Sequence, residues 1–399
     1  MSALEINYAR VIVDLVADEL ARQGGGSVLT GPLAALTTTT RLDEDSLGID
    51  SLRLLHLAGA VNELFHLHET MTGDYLFQHR EISAWAEIVR QSRAEAGEYL
   101  TFRTSGSTGE PRACTHRQVD LEAEVEVHVA HFGEVRRVLS FVPAHHIYGF
   151  IFNVLWPAQT DLEFVDARRR PAGVLQSDFR PGDLLVATPS FWDYLSRSLG
   201  SLDGLQGVTS GAPCPPALFS RLGERGLALT ELYGSSETAG IGRRTEPTAP
   251  FRLLPHWERA GDSLVRSAAA SEAVTVTSPV RLPDRLDWVD EQHFHLAGRT
   301  DGAVQVGGIN VYPARIEARL AQHPTVAECA VRLMRPSEGE RLKAFIVPHA
   351  DASPTDAPEL ERWLRTEFTT AERPVSITWG DALPRNEMGK TTDWHVSPS

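Results

Sequence analysis

Two glycine- and hydroxyl-rich stretches and one late lysine carry the side chains best suited to chemistry in this sequence. The first, "TSGSTGEPR", runs from Thr104 to Arg112. Thr104, Ser105, Gly106, Ser107, Thr108 and Gly109 offer hydroxyls and lightly covered backbone amides. Several N–H groups in such a loop can converge on one phosphate, and Arg112 adds positive charge. No Gly-Lys-Ser/Thr follows, so it is not a Walker loop, and it lacks the Gly-x-Gly-x-x-Gly of a dinucleotide fingerprint. Alone, a run of this kind serves equally well as a flexible surface turn.

The second stretch is "ELYGSSETAG", residues 231–240. Glu237 follows a Gly-Ser-Ser turn, where a carboxylate can reach a divalent cation. Magnesium takes a few hard oxygen ligands together with nucleotide phosphates. Tyr233 offers a flat wall to a base or an acyl group. A strand-end turn with a capping Glu explains the same residues without chemistry. A nucleophile elbow is excluded, because Gly-x-Ser-x-Gly is not formed. In "HLAGRTDGAVQVGGINVYPARIE", residues 295–317, Arg299 and Asp301 flank an expected domain junction. In "LPRNEMGKTTDW", Lys390 follows a glycine; otherwise a lone late lysine is a solvated surface residue. His145 and His146, with His128 and His131, could suggest a metal site, but neighbouring histidines on a strand face opposite ways.

These groups need elements to hold them. A chain of 399 residues exceeds one compact core, so two or three domains are expected. Residues 1–95 read as helical. Ile12, Leu15, Val16 and Leu20 share one face; Leu54, Ala58, Val61 and Phe65 share another; Ile82, Trp85 and Val89 share a third. Gly24, Gly25 and Gly26 break the first helix. From residue 98 to 300, short apolar runs such as "RVLSFVP" and "DLLVATP" alternate with amphipathic stretches such as "CPPALFSRLGERG", which predicts an α/β layer structure. From residue 301 to 399, "VAECAVRLM" and "RLKAFIVP" read as paired strands and "APELERWLRTEF" as a helix, a small α+β domain.

Composition narrows the function. A net charge of −15 argues against a general nucleic-acid binder. No apolar run is long enough to span a membrane, and the N-terminus lacks a signal-peptide pattern. Cys114, Cys214 and Cys329 are far apart and odd in number, so neither a disulfide framework nor a zinc site is expected, and a reducing cytoplasm fits best.

Taken in order, "TSGSTGEPR", "FVPAHHIYGF", "TSGAPCP", "YGSSE", "GRTDGAVQVGGINVYPARIE" and "PRNEMGK" resemble the adenylate-forming ligase superfamily. That group includes acyl- and aryl-CoA synthetases, peptide-synthetase adenylation domains and luciferases. The resemblance covers roughly residues 100–394, and "VGGINVYP" looks most like the benzoate-type aryl ligases. It implies an adenylate-forming α/β core with a mobile α+β C-terminal subdomain. By resemblance, Thr104 to Gly109 wrap the triphosphate of ATP, with Arg112 where the family usually has Lys. Ser236 and Glu237 match a Thr-Glu pair, Glu237 bringing in Mg2+. Gly211, Ala212 and Pro213 line the adenine pocket beside Tyr233. Arg299 contacts the ribose. The usual ribose Asp lies in a Thr-Gly-Asp motif that is not intact here, which leaves Asp284 as the best match and Asp287 as the alternative. His146 falls at the acyl pocket, with Tyr148, Phe150 and Trp192 as possible flat walls. Asp301 is the hinge, Lys390 is the catalytic lysine, and Gln305 replaces a common Lys. The implied chemistry is attack of a carboxylate on the α-phosphate of ATP, loss of pyrophosphate, and transfer of the acyl group to a thiol.

Members of this family carry a long α/β segment ahead of the loop, which 95 helical residues do not supply. Instead "DEDSLGIDSLRLLHLAGAVNELF", residues 43–65, resembles an acyl carrier protein. This implies an N-terminal all-α four-helix carrier-like bundle with phosphopantetheine on Ser51 and a phosphopantetheinyl transferase as partner. The plainer alternative is that Asp50 or Ser51 caps a helix and the bundle is scaffold. The expectation is therefore an enzyme that activates a small or aromatic carboxylic acid and loads it onto a carrier thiol, in cis on Ser51 or in trans. Free coenzyme A is the alternative acceptor, and a non-catalytic carrier or docking module with a relic nucleotide fold is the alternative of another class.

Overall fold

The computed structural model describes residues 5–23, 36–103, 112–267, 279–282, 284–299, 302–335, 337–349, 357–385 and 391–396. The glycine break at 24–26, the loop residues 104–109, Asp301 and Lys390 lie outside the described residues.

The first 95 residues are helical, as the periodicity predicts. They form α1 (Tyr8–Gln23), α2 (Glu44–Leu47), α3 (Ser51–Phe65) and α4 (Ile82–Glu95), with two 3-10 turns, Leu67–Thr70 and Gly73–Gln78. The three predicted faces are buried. They do not close on one another alone. Ile12, Val61, Phe65 and Trp85 share one apolar cluster with Phe102, Val125, Phe150 and Val186. The expected four-helix carrier-like bundle is thus not shown as a unit with a core of its own. The second helix is a single turn, and the apolar faces are completed by strands and helices further along the chain.

Those elements are β1 (Tyr99–Arg103), β2 (Ala113–Arg117), α5 (Gln118–Phe132), β3 (Arg137–Ser140) and a helix made of α6 (Ile147–Phe150), a π-type turn (Ile151–Leu155) and α7 (Trp156–Thr160). Then come β4 (Glu163–Asp166), α8 (Ala172–Asp178), β5 (Asp183–Ala187), α9 (Pro189–Ser198), β6 (Gln206–Thr209), α10 (Pro216–Gly223), β7 (Ala228–Ser235), β8 (Ala239–Arg244) and β9 (Phe251–Leu253). The strands β10 (Trp257–Ala260), β11 (Ser263–Arg266) and β12 (Val280–Arg281) make a small separate sheet, and β13 (Asp284–Trp288) and β14 (His293–Arg299) a hairpin. The main sheet has nine strands in the order β13-β14-β9-β8-β7-β6-β5-β3-β4.

From β4 to β7 this sheet is parallel. Every residue of β5 is buried, as expected of a parallel strand covered on both faces. Alternation assigns the two faces: Leu184 and Val186 join the cluster shared with α1, α3 and α4, whereas Leu185 and Ala187 join a second cluster with Leu175, Trp192 and Leu218. Arg137 of β3 and Asp183 of β5 pair through two hydrogen bonds, at 2.9 and 2.7 Å, across the bottom of the sheet. The chain passes from β3 outward to β4 and then returns to β5 on the other side of β3. Crevices for ligands form at the carboxyl ends beside such a reversal.

Residues 1–104, 113–281 and 288–295 form one compact unit; residues 105–112, 282–287 and 296–399 form a second. The second contains β15 (Val304–Val306), β16 (Ile309–Val311), α11 (Pro313–Leu320), β17 (Val326–Leu333), β18 (Leu342–Pro348), α12 (Ala357–Glu367) and β19 (Ser376–Trp379). The two predicted strands pair antiparallel as β17 and β18, and Val331, Leu342, Ile346 and Leu360 belong to its own core. Among the described residues, no helix is long and apolar enough to cross a membrane.

Polar groups bind α1 to the sheet. Asp14, only 6% exposed, accepts the Ala144 N–H at 2.6 Å and pairs with Arg168 at 2.6 Å. Arg10 donates to the Asn153 carbonyl. Truncating Asp14 leaves a buried amide and a guanidinium without this acceptor. Asp14→Ala is expected to lower the unfolding free energy by about 2–3 kcal/mol in urea titration. Asp14→Asn, which keeps one acceptor, is expected to lose less. A loss for Asp14→Ala below about 0.5 kcal/mol would contradict this role.

Candidate active site

Four loops leave the carboxyl ends of β3, β5, β6 and β7, and they carry most of the described candidate residues. After β3 the chain runs through Phe141–Ala144 to His145 and His146, and the next helix begins at Ile147. The helix start lies directly on this loop: a Cβ at Gly149 would sit 1.9 Å from the Pro143 carbonyl oxygen. Only glycine allows that approach. The two histidines lie in a loop and not on a strand, so the expectation of opposite faces does not hold. Their rings are 4.1 Å apart, centroid to centroid. Burial, helped by the neighbouring His145, pushes His146 down to about 3, so it is a neutral imidazole in this loop. Asp18 of α1 faces the pair, its Oδ2 3.6 Å from His145 Nε2. Burial pushes that carboxyl up, but His145 and Arg22 outweigh it and hold Asp18 at about 2.

The loop after β6 carries Gly211, Ala212 and Pro213. Glu231, buried in β7, fastens it by accepting the Cys214 N–H at 2.8 Å, and Arg244 balances the same carboxylate at 2.7 Å. Ser210 Oγ donates to the Leu232 carbonyl at 3.0 Å. Burial and Glu231 push the Cys214 thiol up to about 12, which leaves it inert as a nucleophile. Tyr148 ties the neighbouring strand ends together, its hydroxyl within 3.3 Å of the Ala187 carbonyl and 3.1 Å of the Val208 carbonyl. Trp192 and Phe150, considered as flat walls, are fully buried core side chains.

After β7 the chain makes a tight turn through Ser235–Thr238. Thr238 Oγ1 bonds Ser235 Oγ at 3.0 Å. Ser236 is half-buried and Glu237 is exposed at the tip. No helix follows to be capped; β8 does. Tyr233 is buried one turn of the pleat below, its ring 5.9 Å from Phe251 and 5.8 Å from Phe294.

The hairpin of β1 and β2, with Arg103 paired to Ala113, is linked in sequence through residues 104–112. It is held on two sides. His66 Nε2 meets Thr101 Oγ1 at 2.7 Å, and Thr101 meets Thr115 at 2.7 Å. His116 Nε2 donates to the Ser236 carbonyl at 2.7 Å. This bond joins the β1–β2 hairpin directly to the turn that carries Glu237.

In the second unit, Arg299 Nη1 lies 3.6 Å from Asp284 Oδ1, whereas Asp287 lies 3.6 Å from Arg285 instead. Arg112 also belongs to this unit. The structure therefore groups His146, Gly211, Ala212, Pro213, Ser236 and Glu237 beyond the carboxyl ends of β3, β6 and β7, with Tyr233 inside β7, and groups Arg299 with Asp284. Asp18, His116 and Glu231 were missed. A signal existed for Glu231, an acid inside the otherwise apolar "LTELYG" strand, and for His116, which alternation places on the inner face of β2. Nothing local marked Asp18.

The AMP-binding enzyme family matches residues 69–264, and the C-terminal domain of AMP-binding enzymes matches residues 315–390. A 4-coumarate--CoA ligase of Halorhodospira halophila is 39% identical over 390 residues, covering 96% of this chain and 97% of that protein. A 4-coumarate--CoA ligase of Rhodobacter capsulatus is 37% identical over 396 residues, covering 96% and 99%. The amide bond synthetase McbA of Marinactinospora thermotolerans has the same fold, with a TM-score of 0.59 at 19% identity over 96% of this chain and 92% of that one.

Two neutral histidines, the half-buried His131 and the buried His256, give the fold a pH dependence. Burial pushes His131 and His256 down to about 4 from the ordinary 6.5. Below about 6.5 the unfolded chain takes up protons that the folded chain refuses until about 4, so stability is full above that range and falls through it. Urea titrations at pH 7.5, 6 and 5 are expected to show this decline, with a shallower slope in His131→Gln. A flat profile would contradict it.

Proposed function

The chain belongs to the AMP-binding enzyme family, and from that premise we propose that it activates an aromatic carboxylic acid with ATP and passes the acyl group to coenzyme A. Membership makes it an ATP-dependent adenylate-forming ligase that joins an acid to a thiol. The observation that carries the proposal is the hydrogen bond that fastens the Glu237 turn to the β1–β2 hairpin, whose strands residues 104–112 connect, together with the hold of Glu231, from the same strand β7, on the loop of Gly211–Pro213. The relatives that are similar over nearly their whole length are named 4-coumarate--CoA ligases, which supports a hydroxycinnamate-like acid and free coenzyme A.

In the proposed reaction two anions must meet. The acid carboxylate attacks the α-phosphate, the bond to the β-phosphate oxygen breaks, and pyrophosphate leaves. Positive charge and preorganised donors at the developing pentavalent phosphorus are the main requirement. Amides of residues 104–109 and the Arg112 guanidinium would hold the β- and γ-phosphates. Arg keeps the charge of the usual Lys but can bind two oxygens at once. The exposed Glu237 carboxylate, next to the half-buried Ser236, offers hard oxygen of the kind that suits magnesium. Glu237 would hold the ion, which neutralises phosphate charge when bound. Gly211, Ala212 and Pro213 would pack on adenine beside Tyr233. Arg299 and Asp284 would bind the ribose. His146, neutral at physiological pH, would face the acid without competing as a cation. Lys390 would contact the acid carboxylate and the α-phosphate, and Asp301 would be the pivot on which residues 301–399 turn before thiol attack.

A second reading keeps the carrier thiol as acceptor. Its supporting observation is that Ser51 is exposed at the first turn of α3, where Asp50 caps the helix by accepting the Arg53 N–H at 2.8 Å. Free coenzyme A is favoured because α1, α3 and α4 share their core with the sheet. The two matches above also leave too few residues aside to omit those helices.

Two experiments test this. Acid-dependent exchange of labelled pyrophosphate into ATP is expected with hydroxycinnamates or benzoates, followed by an acyl-CoA product that Ser51→Ala leaves unchanged. No exchange with any acid, together with no ATP binding, sinks the proposal; product found only on Ser51 transfers it to the carrier reading. Lys390→Ala is expected to slow adenylate formation by at least about 100-fold. Transfer from a supplied acyl-adenylate should stay within about threefold. Equal loss in both half-reactions would contradict the assignment.

A further inference from the structure

Glu124 is an acid in the middle of α5 and is 2% exposed. Burying a carboxylate is costly unless hydrogen bonds and charges compensate it. Its partners are unusual. Both carboxylate oxygens lie 3.0 Å from the Gly240 N–H. His128 Nε2 lies 3.3 Å from Oε1, and His256 Nε2 lies 3.7 Å from Oε2. The Gly240 carbonyl is held as well, by the Trp257 indole N–H at 2.7 Å and His256 Nε2 at 3.2 Å. One residue of an edge turn thus has both backbone groups bound by side chains from two other elements.

Gly240 is not an arbitrary place for this. It stands at the base of the turn that carries Glu237, opposite Gly234, where the pairing of β7 with β8 slips by one residue. A bulge of this kind leaves ladder groups unmatched and re-aims the chain. Ala239, just before it, has φ 61°, a conformation that costs a residue with a Cβ energy. A Cβ on Gly240 would come within 2.4 Å of Glu124 Oε1, so glycine here is what lets the carboxylate in. A strained, bulged turn with an exposed acid at its tip needs support from below, and Glu124 supplies it.

We propose that Glu124 is a positioning residue: its buried carboxylate, backed by His128 and His256, fixes the Gly240 backbone and so aims the Glu237 carboxylate at a divalent cation bound with ATP. This rests on the proposed role of Glu237 and goes beyond it by naming what orients that side chain. Glu124 itself touches neither nucleotide nor acid. Its loss therefore acts on the magnesium dependence of nucleotide binding, whereas a merely structural residue would lower the folded fraction and leave that dependence alone.

The test uses the full chain and two readouts. Hydrogen–deuterium exchange follows the amides of residues 235–240, and calorimetry measures ATP affinity across magnesium concentrations. In Glu124→Ala, exchange in the turn is expected to speed up, and the magnesium needed for half-maximal ATP affinity to rise, each by at least about tenfold. Glu124→Gln keeps an acceptor for the Gly240 N–H and is expected to recover most of both. Trp257→Phe, which removes the nearer of the two donors to the Gly240 carbonyl and leaves His256, should shift both the same way by less, and it carries the test if Glu124→Ala fails to fold. In a Glu237→Gln background, replacing Glu124 should not weaken magnesium dependence further. Unchanged exchange in the turn overturns the proposal, as does faster exchange with unchanged magnesium dependence. A wild-type protein that binds magnesium–ATP but gives no acid-dependent pyrophosphate exchange would instead overturn the ligase reading and leave the role of Glu124 standing on the binding data.

Discussion

Beyond the carboxyl end of a parallel strand the ladder stops, and the backbone N–H groups of the following loop need other acceptors. In this protein buried acids provide three of them. Asp14 from α1 accepts the Ala144 amide after β3, Glu231 accepts the Cys214 amide after β6, and Glu124 from α5 accepts the Gly240 amide beyond β7. A carboxylate fixed in the core holds each loop in one place. The candidate residues His146, Gly211 to Pro213 and Glu237 all sit within a few residues of an amide held this way.

The groups that hold each buried acid are distinct: the Arg168 guanidinium pairs with Asp14 and the Arg244 guanidinium with Glu231, whereas Glu124 is held by hydrogen bonds from the Gly240 N–H and His128, with the His256 imidazole 3.7 Å away. An unpaired buried carboxylate would protonate and release its amide. Glu237 differs from all three. It is exposed at the tip of its turn, where it is open to a cation, while Ser236 behind it is tied to the β1–β2 hairpin through His116. The same arrangement explains why the first 95 residues matter to a site that lies far along the chain. Asp14 and Asp18 of α1 both reach the His145–His146 loop.

Much of this was legible in the sequence. The helical faces around Ile12, Leu54 and Trp85, the parallel strands "RVLSFVP" and "DLLVATP", and the β17–β18 pair follow from periodicity and from continuous apolar runs. The order of the motifs marked the family. The destination of the helical faces was not legible, because periodicity reports that a face is buried and not what buries it. That is why the face of Leu54 and Phe65 read as part of a small helical bundle, although it packs into the core shared with the sheet. The buried acids escaped notice for a related reason. Glu124 in "LEAEVEVH" looks like any solvated helix residue, and its partner Gly240 is 116 positions away. His145 and His146 were read as strand neighbours, but the strand ends at Ser140 and the loop lets their rings meet.

The central claim is that these strand ends form the site where nucleotide and metal meet. A crystal structure of the protein with Mn2+ and a non-hydrolysable acyl-adenylate analogue tests it most directly, since the manganese can be located by its anomalous scattering. The expected result is a manganese peak in coordination distance of a Glu237 carboxylate oxygen, about 2–2.3 Å, with adenine against Gly211–Pro213. A nucleotide bound elsewhere, or a metal that shares no ligand with Glu237, would contradict it.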